Sequence, residues 1–296
     1  ASMLIDILQA SGRLPLAPGY RDALFDISVG YDLKGIQSER VQAFIDGMKD
    51  ARPVVDRLRA QIPAGFEKYR GLDFRTRISG TVTLSTFHGC PPGEIESIVE
   101  FLTGRKGLSC TVKLNPTLLG AAELRRLLHA ELGYADVRVP DSAFDQDARW
   151  DDVSGFVERL DRKARGLGLG FGVKFSNTLV VDNPGDFLPA SEKTVYLSGP
   201  PLHVLAMHLV RRFRRQFGTR IPVSFSGGIN RTNFPDAVSL GLVPVTVCSD
   251  LLGPCGYGRL GGYMEDLGKR MDQAGASNIA QFIRKALLAR GQGVFD

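Results

Sequence analysis

Residues 223–250 read VSFSGGINRTNFPDAVSLGLVPVTVCSD, and this stretch decides the fold. Two short β-branched runs, Val223 to Phe225 and Val243 to Val247, each end at a small polar residue and enclose one helix-length segment. That is the pattern of a strand, a helix and a second strand. In such a unit Ser226-Gly227-Gly228 falls where a parallel strand passes into its loop, and Cys248-Ser249 ends the next strand at the same level. Glycines let bare backbone N–H groups close around an anion. Two neighbouring strand ends with exposed amides make a phosphate cradle, which is where a barrel of alternating strands and helices usually keeps one. The same glycines can also serve only to turn the chain, and the SGG triplet alone does not choose between the two.

Outward from this unit the alternation continues. Leu24 to Gly30, Thr81 to Ser85, Thr111 to Leu114, Ala135 to Val139, Phe171 to Phe175 and Val195 to Leu197 read as further strands, making eight candidates in all. Helical patterns separate them: Ser38 caps one through Met48, and Pro91-Pro92 opens one with the stripe Ile95, Ile98, Val99 and Leu102. Others run from about Ala121 to Leu132, from Asp151 to Arg165, and through the stripe Leu202, Leu205, Leu209, Phe213 and Phe217. Helices from about Gly262 to Asp272 and from Ser277 to Leu288 finish the chain. Met3 to Leu8 is short enough for one small helix, Gly12 to Gly19 with Pro15 and Pro18 is loop, and residues 53 to 79 hold a second helix and a loop. Pro140 to Trp150 is an acidic loop, and Val180 to Lys193 a long one of the kind that caps a site. Interleaving of this kind predicts an α/β chain folded as a TIM (β/α)8 barrel, a single domain over residues 1–296. An open doubly wound sheet is the alternative, disfavoured because no GxGxxG opens its first helix.

Composition narrows the function. With 43% hydrophobic and 23% charged residues over 296 positions, the chain can bury a large core. No apolar run is long enough to cross a membrane and no basic-then-apolar leader stands at the N-terminus, which predicts a cytoplasmic protein. Cys90, Cys110, Cys248 and Cys255 are scattered without a CxxC pair, so neither a disulfide framework nor a metal site is expected. Formal charge is +5, yet the densest basic stretch, Arg211, Arg212, Arg214, Arg215 and Arg220, ends a helix and reads as its solvated face. Nucleic acid is therefore not the expected partner.

In a barrel, polar residues just past each strand converge on one mouth. Here they are Ser28, Asp32, Ser85 to Cys90, Lys113, Asn115, Lys174, Asn177, Thr178, Ser198, Ser226 to Gly228 and Cys248 to Asp250. Lys113 sits inside an apolar strand, where an ammonium is costly unless something anionic or electron-rich meets it. Pairing with a core carboxylate is the bland account of such a lysine, and Lys174 has the same setting. Asn177 offers a donor and an acceptor to a flat heterocycle edge. His88 is a candidate proton donor and Cys90 a candidate thiol base, although a loop histidine beside Gly and Pro is as often a turn residue.

The segments Thr81 to Cys90 (TVTLSTFHGC), Val112 to Pro116 (VKLNP), Ser176 to Thr178 (SNT), Ser226 to Gly228 (SGG) and Val247 to Asp250 (VCSD) carry a resemblance. In order and spacing they are similar to the FMN barrel of the dihydroorotate and dihydropyrimidine dehydrogenase superfamily. SVGYDLKGI (28–36), STFHGCPPGEIE (85–96), VKLNPTLLG (112–120) and LVPVTVCSDLL (242–252) resemble its selenate reductase, or glutamate-synthase-like, flavoprotein subunits more closely. The resemblance implies FMN as cofactor, with Lys113 at the flavin pyrimidine edge, and Asn177, Thr83 and Ser85 around the flavin or substrate. Ser226, Gly227, Gly228, Cys248 and Ser249 would hold the phosphate. Thr86 stands where the dehydrogenases place a catalytic cysteine or serine, so Cys90 or His88 would take over the proton chemistry. Two further strands that the family has before SVGYD are not found in residues 1 to 23. The implied protein is an FMN-dependent oxidoreductase working on a small molecule, heterocycles among the candidates, as one piece of a larger iron-sulfur flavoprotein. An NAD(P)H/FAD and iron-sulfur partner module would deliver the electrons. A degenerate barrel without flavin, serving as a docking scaffold, is the alternative; a lyase using Lys113 or Lys174 as a Schiff base is a third.

Overall fold

A computed structural model of the chain describes residues 1–13, 23–185 and 188–290. Its strands are β1 (Ile27–Val29), β2 (Thr81–Ser85), β3 (Ser109–Leu114), β4 (Phe171–Phe175), β5 (Leu179–Asp182), β6 (Thr194–Leu197), β7 (Val223–Ser226) and β8 (Leu242–Thr246). Six of them form one all-parallel sheet in the order β1-β2-β3-β4-β7-β8. Helices Pro92–Glu100, Ala121–Arg125, Trp150–Gly166, Pro201–Phe217 and Phe234–Ser239 fall between successive sheet strands, as parallel crossovers require. The fold is the (β/α) barrel type, and no pairing joins β8 to β1 among the described residues.

Alternation along the strands sets the two faces of the sheet. Val82 and Leu84 of β2, Val112 and Leu114 of β3, and Val173 and Phe175 of β4 are buried. They pack in one cluster with helical residues such as Ile95, Ile98, Leu124, Phe156 and Leu205. Residues of opposite parity point away from the helices, and here they are polar: Thr81, Thr83 and Ser85, then Ser109, Thr111 and Lys113, then Lys174. Register carries this across four strands, because Ser85 pairs with Lys113, Lys113 with Lys174 and Lys174 with Ser224.

Several expectations need correction. Ala135 to Val139 is not a strand: the Val137 carbonyl accepts from or faces the His129 ring at 2.9 Å and the Val139 carbonyl accepts from Arg125 at 2.7 Å, so side chains take what a ladder would use. The acidic stretch after Pro140 is partly helical, over Asp141–Gln146, with Asp141 in the first turn where the helix dipole favours it. Val195 to Leu197 is a strand, but it pairs antiparallel with β5 in a separate hairpin, Leu179 opposite Leu197. Much of the long loop expected at 180–193 therefore belongs to that hairpin. The first strand is only Ile27–Val29, and Ser38 stands at the helix N-cap with its hydroxyl donating backwards to the Gly35 carbonyl at 2.7 Å. Arg214 does not lie on a solvated face. It is buried and donates to the Gly218 carbonyl at 3.0 Å, and burial lowers its pKa. At the N-terminus, Ser2–Ser11 is one helix, and the loop expected at Gly12 to Gly19 falls mostly on 14–22, outside the described residues. No helix among the described residues is long and apolar enough to cross a membrane.

Candidate active site

Past the C-terminal ends of β3, β4, β7 and β8 opens a cavity of about 740 Å³. Ligand pockets run from about 300 to 1,000 Å³, and this one falls within that range. Lys113, Lys174 and Asn177 line it, and so do Ser226, Gly227 and Gly228 at the end of β7, the strand that pairs with β4. Cys248, Ser249 and Thr246 add the β8 side, and Ser198, Asn230, Asp250 and Arg259 are among the other polar lining residues.

The glycine turn is held from behind. Gly227 and Gly228 both have positive φ, 148° and 55°, conformations that side chains resist. A Cβ on Gly228 would stand 2.7 Å from Pro200 Cα and 2.9 Å from the Gly199 carbonyl oxygen, so the turn packs directly against the start of Pro201–Phe217. His203, from that helix, meets the Gly227 carbonyl through Nδ1 at 3.0 Å, and Asn233 Nδ2 donates to the Gly228 carbonyl at 3.0 Å. Both carbonyls of the pair are thus tied to side chains outside the cavity lining. Neither His203 nor Asn233 was singled out from sequence. The Asn230–Asn233 spacing was the available signal, since the two side chains cap each other's backbone amides. Arg259 was also missed; it makes two bonds to Asp250, 2.9 and 2.8 Å, and Tyr263 donates to the same carboxylate at 2.6 Å. The Arg259 guanidinium, followed by the Tyr263 hydroxyl, holds the Asp250 carboxyl below its ordinary pKa.

Cations dominate the cavity wall. Lys174 donates to Thr246 Oγ1 at 2.6 Å, whereas Lys113 has no hydrogen bond or ion pair from its ammonium to a described residue. Burial lowers the pKa of Lys113; burial and then repulsion from Lys113 lower that of Lys174, with Asp26 opposing.

The other sequence candidates stand elsewhere. Thr86 is buried and donates to the Lys113 carbonyl at 2.7 Å. Cys90 is buried, its thiol pushed up to about 12 by burial and then by the Glu94, Asp147 and Asp32 carboxylates, so it is no base at neutral pH. Thr86 and Cys90 face a separate void of about 10 Å³. His88 stacks on Tyr196 of the hairpin, ring centroids 5.4 Å apart, with Nδ1 3.8 Å from Asp147 Oδ2 and without a hydrogen-bond partner. Asp147 is buried and accepts from the Gly89 amide and the Thr117 hydroxyl, each at 2.7 Å. Burial favours its neutral form, but those donors and the nearby His88 ring hold it below the ordinary carboxyl range. Thr83 donates to Asp26 at 2.6 Å, and Ser85 lies on the polar face outside the cavity lining. Asn177 borders the cavity, yet its Nδ2 already donates to the Thr86 carbonyl and to Asn115 Oδ1, and its Oδ1 accepts from Thr178. Among the described residues no group of three or more His, Cys, Asp or Glu side chains is placed to hold a metal ion.

Fold and site together define a parallel α/β barrel domain with a ligand cavity at the C-terminal ends of its strands. The chain belongs to the family described as Oxidoreductase YgfK, N-terminal TIM-barrel domain, whose model matches residues 1–290. The YgfK proteins of Escherichia coli strain K12 and of O157:H7 are each 37% identical over 263 residues, 82% of this chain. The chain spans about a quarter (25%) of the length of those curated relatives. Among solved structures, ligand-free DHODH from Eimeria tenella is similar at TM-score 0.40 and 16% identity, over 69% of this chain and 63% of that one. The same enzyme in complex with ferulenol gives 0.42 and 16%, over 80% and 58%.

Proposed function

We propose that this domain is the FMN-binding barrel of an oxidoreductase. The observation that carries the reading is one cavity in which a backbone glycine turn and two strand-borne lysines converge. In it the amides of Gly227 and Gly228, with Cys248 and Ser249 from the next strand end, hold the phosphate. Lys113 places its ammonium at the pyrimidine edge of the ring, the one cation of the wall with no internal partner among the described residues. When bound, FMN supplies hydride or single-electron transfer to a small molecule at the mouth. The chain's own part is to orient the ring, neutralise the charge it gains on reduction, and shield the floor of the cavity from water. Asn177 acts by joining the ends of β3 and β4 rather than by offering its amide to a ligand, and Thr86 is a strand-end tie rather than a base. In the longer polypeptide this barrel is one domain, and an NAD(P)H-oxidising module with iron-sulfur centres delivers its electrons. Membership of the selenate reductase branch is part of the same proposal.

The test is the visible spectrum of the purified chain before and after FMN is added and the excess removed. Retained flavin bands, lost in Lys113→Ala and Gly227→Asp, are the expected result. A colourless wild-type protein that ignores FMN would overturn the reading. It would move a flavin-free docking scaffold into first place, a role consistent with Thr86 and Asn177 being spent inside the protein.

A further inference from the structure

Ser85, Lys113, Lys174 and Ser224 occupy one row across four strands, so the two lysines are immediate neighbours. Adjacent strands lie about 4.8 Å apart, so the two side chains start from neighbouring positions, and the charge of Lys113 disfavours that of Lys174. Among the described residues no carboxylate makes an ion pair with either. Asp26 acts on Lys174 only through space, and its two oxygens already accept from Thr81 and Thr83 at 2.6 Å each. Ser224 is likewise engaged, donating to the Pro244 carbonyl at 2.8 Å. The protein holds two cations on neighbouring strands of one cavity wall, with Asp26 acting on Lys174 from a distance and no carboxylate in contact with either ammonium among the described residues.

The flavin reading accounts for one of them. A reduced ring carries one negative charge, which Lys113 answers, and the phosphate belongs to the glycine cradle at the end of β7. Lys174 remains. Its ammonium spends one hydrogen on Thr246 Oγ1 at 2.6 Å and keeps two. The Thr246 hydroxyl, having accepted that bond, still has its own hydrogen to give. Two adjacent donors, one charged, match the two oxygens of a carboxylate. We propose that Lys174 and Thr246 form the subsite for a carboxylate on the substrate, so that this oxidoreductase acts on an organic acid rather than a neutral heterocycle. The inference rests on the flavin reading for its assignment of Lys113. Burial of both lysines agrees with it, since a half-buried ammonium gains most from a bound anion.

Malonate, a dicarboxylate, and malonamide, its neutral counterpart, are suitable probes. Each is titrated by calorimetry into the chain with and without FMN, and into Lys174→Met, Thr246→Val and Lys269→Met, the last an exposed lysine away from the cavity. Malonate should bind wild type at least tenfold tighter than malonamide. Lys174→Met should erase that preference, Thr246→Val should weaken it several-fold, and Lys269→Met should leave it intact. Should Lys174→Met not fold, Thr246→Val and Lys174→Arg, which keeps the charge, carry the test. Equal binding of the two probes, or the same loss in Lys269→Met, overturns the subsite while retained FMN leaves the flavin reading standing. A chain that takes no FMN but prefers malonate through Lys174 overturns the flavin reading and keeps the anion subsite.

Discussion

The mouth of the sheet has two sides built from similar residues and put to different use. Beyond β2, the segment 86–92 carries Thr86, His88 and Cys90, yet the threonine hydroxyl is tied to a carbonyl and the thiol is buried. Asp147 closes that side from below through Gly89 and Thr117. Beyond β7 and β8, a glycine turn, two hydroxyl strand ends and two lysines border open space. Both sides are rich in polar atoms. On one the protein has satisfied most of them itself, His88 Nδ1 excepted; on the other it has left the Lys113 ammonium unspent, and that difference, not residue type, marks where a ligand goes.

The comparison breaks first at Asp147. Asp147→Ala strands the Gly89 amide and the Thr117 hydroxyl in a buried place, and each unmet buried donor costs about 1–3 kcal/mol. A loss of about 3 kcal/mol in urea unfolding is expected, with FMN binding unaffected in the protein that remains folded. A loss under about 1 kcal/mol would mean that the β2 side is not a sealed structural unit.

On the open side the corresponding change is Gly228→Ala. Positive φ and the 2.7 Å approach to Pro200 Cα act together there, for an expected cost of about 1–3 kcal/mol and loss of the flavin bands. Gly12 is the control, left-handed at φ 62° and ψ 5° with open space around its missing Cβ. Gly12→Ala bears only the backbone term, about 1–2 kcal/mol, and should leave the spectrum unchanged. Equal effects at the two positions would remove the special standing of the cradle.

The lysines sharpen the contrast through pH. Burial lowers both pKa values in the folded state, so folding is penalised while the lysines are charged. Below the lowered values the penalty is complete; as pH rises toward the ordinary lysine range the folded protein sheds its protons first and the penalty fades. Lys113→Met,Lys174→Met should therefore melt higher than wild type at pH 7, by about 2–4 °C for roughly 1 kcal/mol in a chain this long. The gap should close on the alkaline side. A double variant that melts lower at neutral pH would show that something in the protein already pairs these ammoniums.

These tests follow the line between what the sequence discloses and what it hides. β2 and β4 run as expected from alternating or continuous β-branched and aromatic residues, and the stripe of Pro92–Glu100 is buried as its spacing requires. The SGG and CS strand ends do meet in one cavity. Ala135 to Val139 has the composition of a strand but its carbonyls go to Arg125 and His129, partners that spacing does not reveal. Val195 to Leu197 has a strand's pattern too, and pattern cannot say which sheet it joins. Arg214 sits among arginines that read as a solvated face, yet its position beside Phe213 and Phe217 turns it inward to cap loop carbonyls. Asn177 and Thr86 are legible as polar strand ends. Whether their groups are spent or free depends on neighbours some thirty to ninety residues away in sequence.

The smallest perturbation reads the two sides without changing a residue. Cys90 lies behind the sealed segment and Cys110 on the helix-facing side of β3, both pushed up to about 12, chiefly by burial. Cys248 borders the open cavity, and Cys255 follows it in an exposed turn. Thiolate, not thiol, reacts with a disulfide reagent, so at pH 8 in the native state only Cys248 and Cys255 should label quickly. In denaturant all four should react. FMN should slow Cys248 and leave Cys255 alone, because only the first lines the cavity. Rapid labelling of Cys90 in native protein would show segment 86–92 opening on its own, and a sealed side that opens would return His88 and Cys90 to contention as groups that meet a substrate.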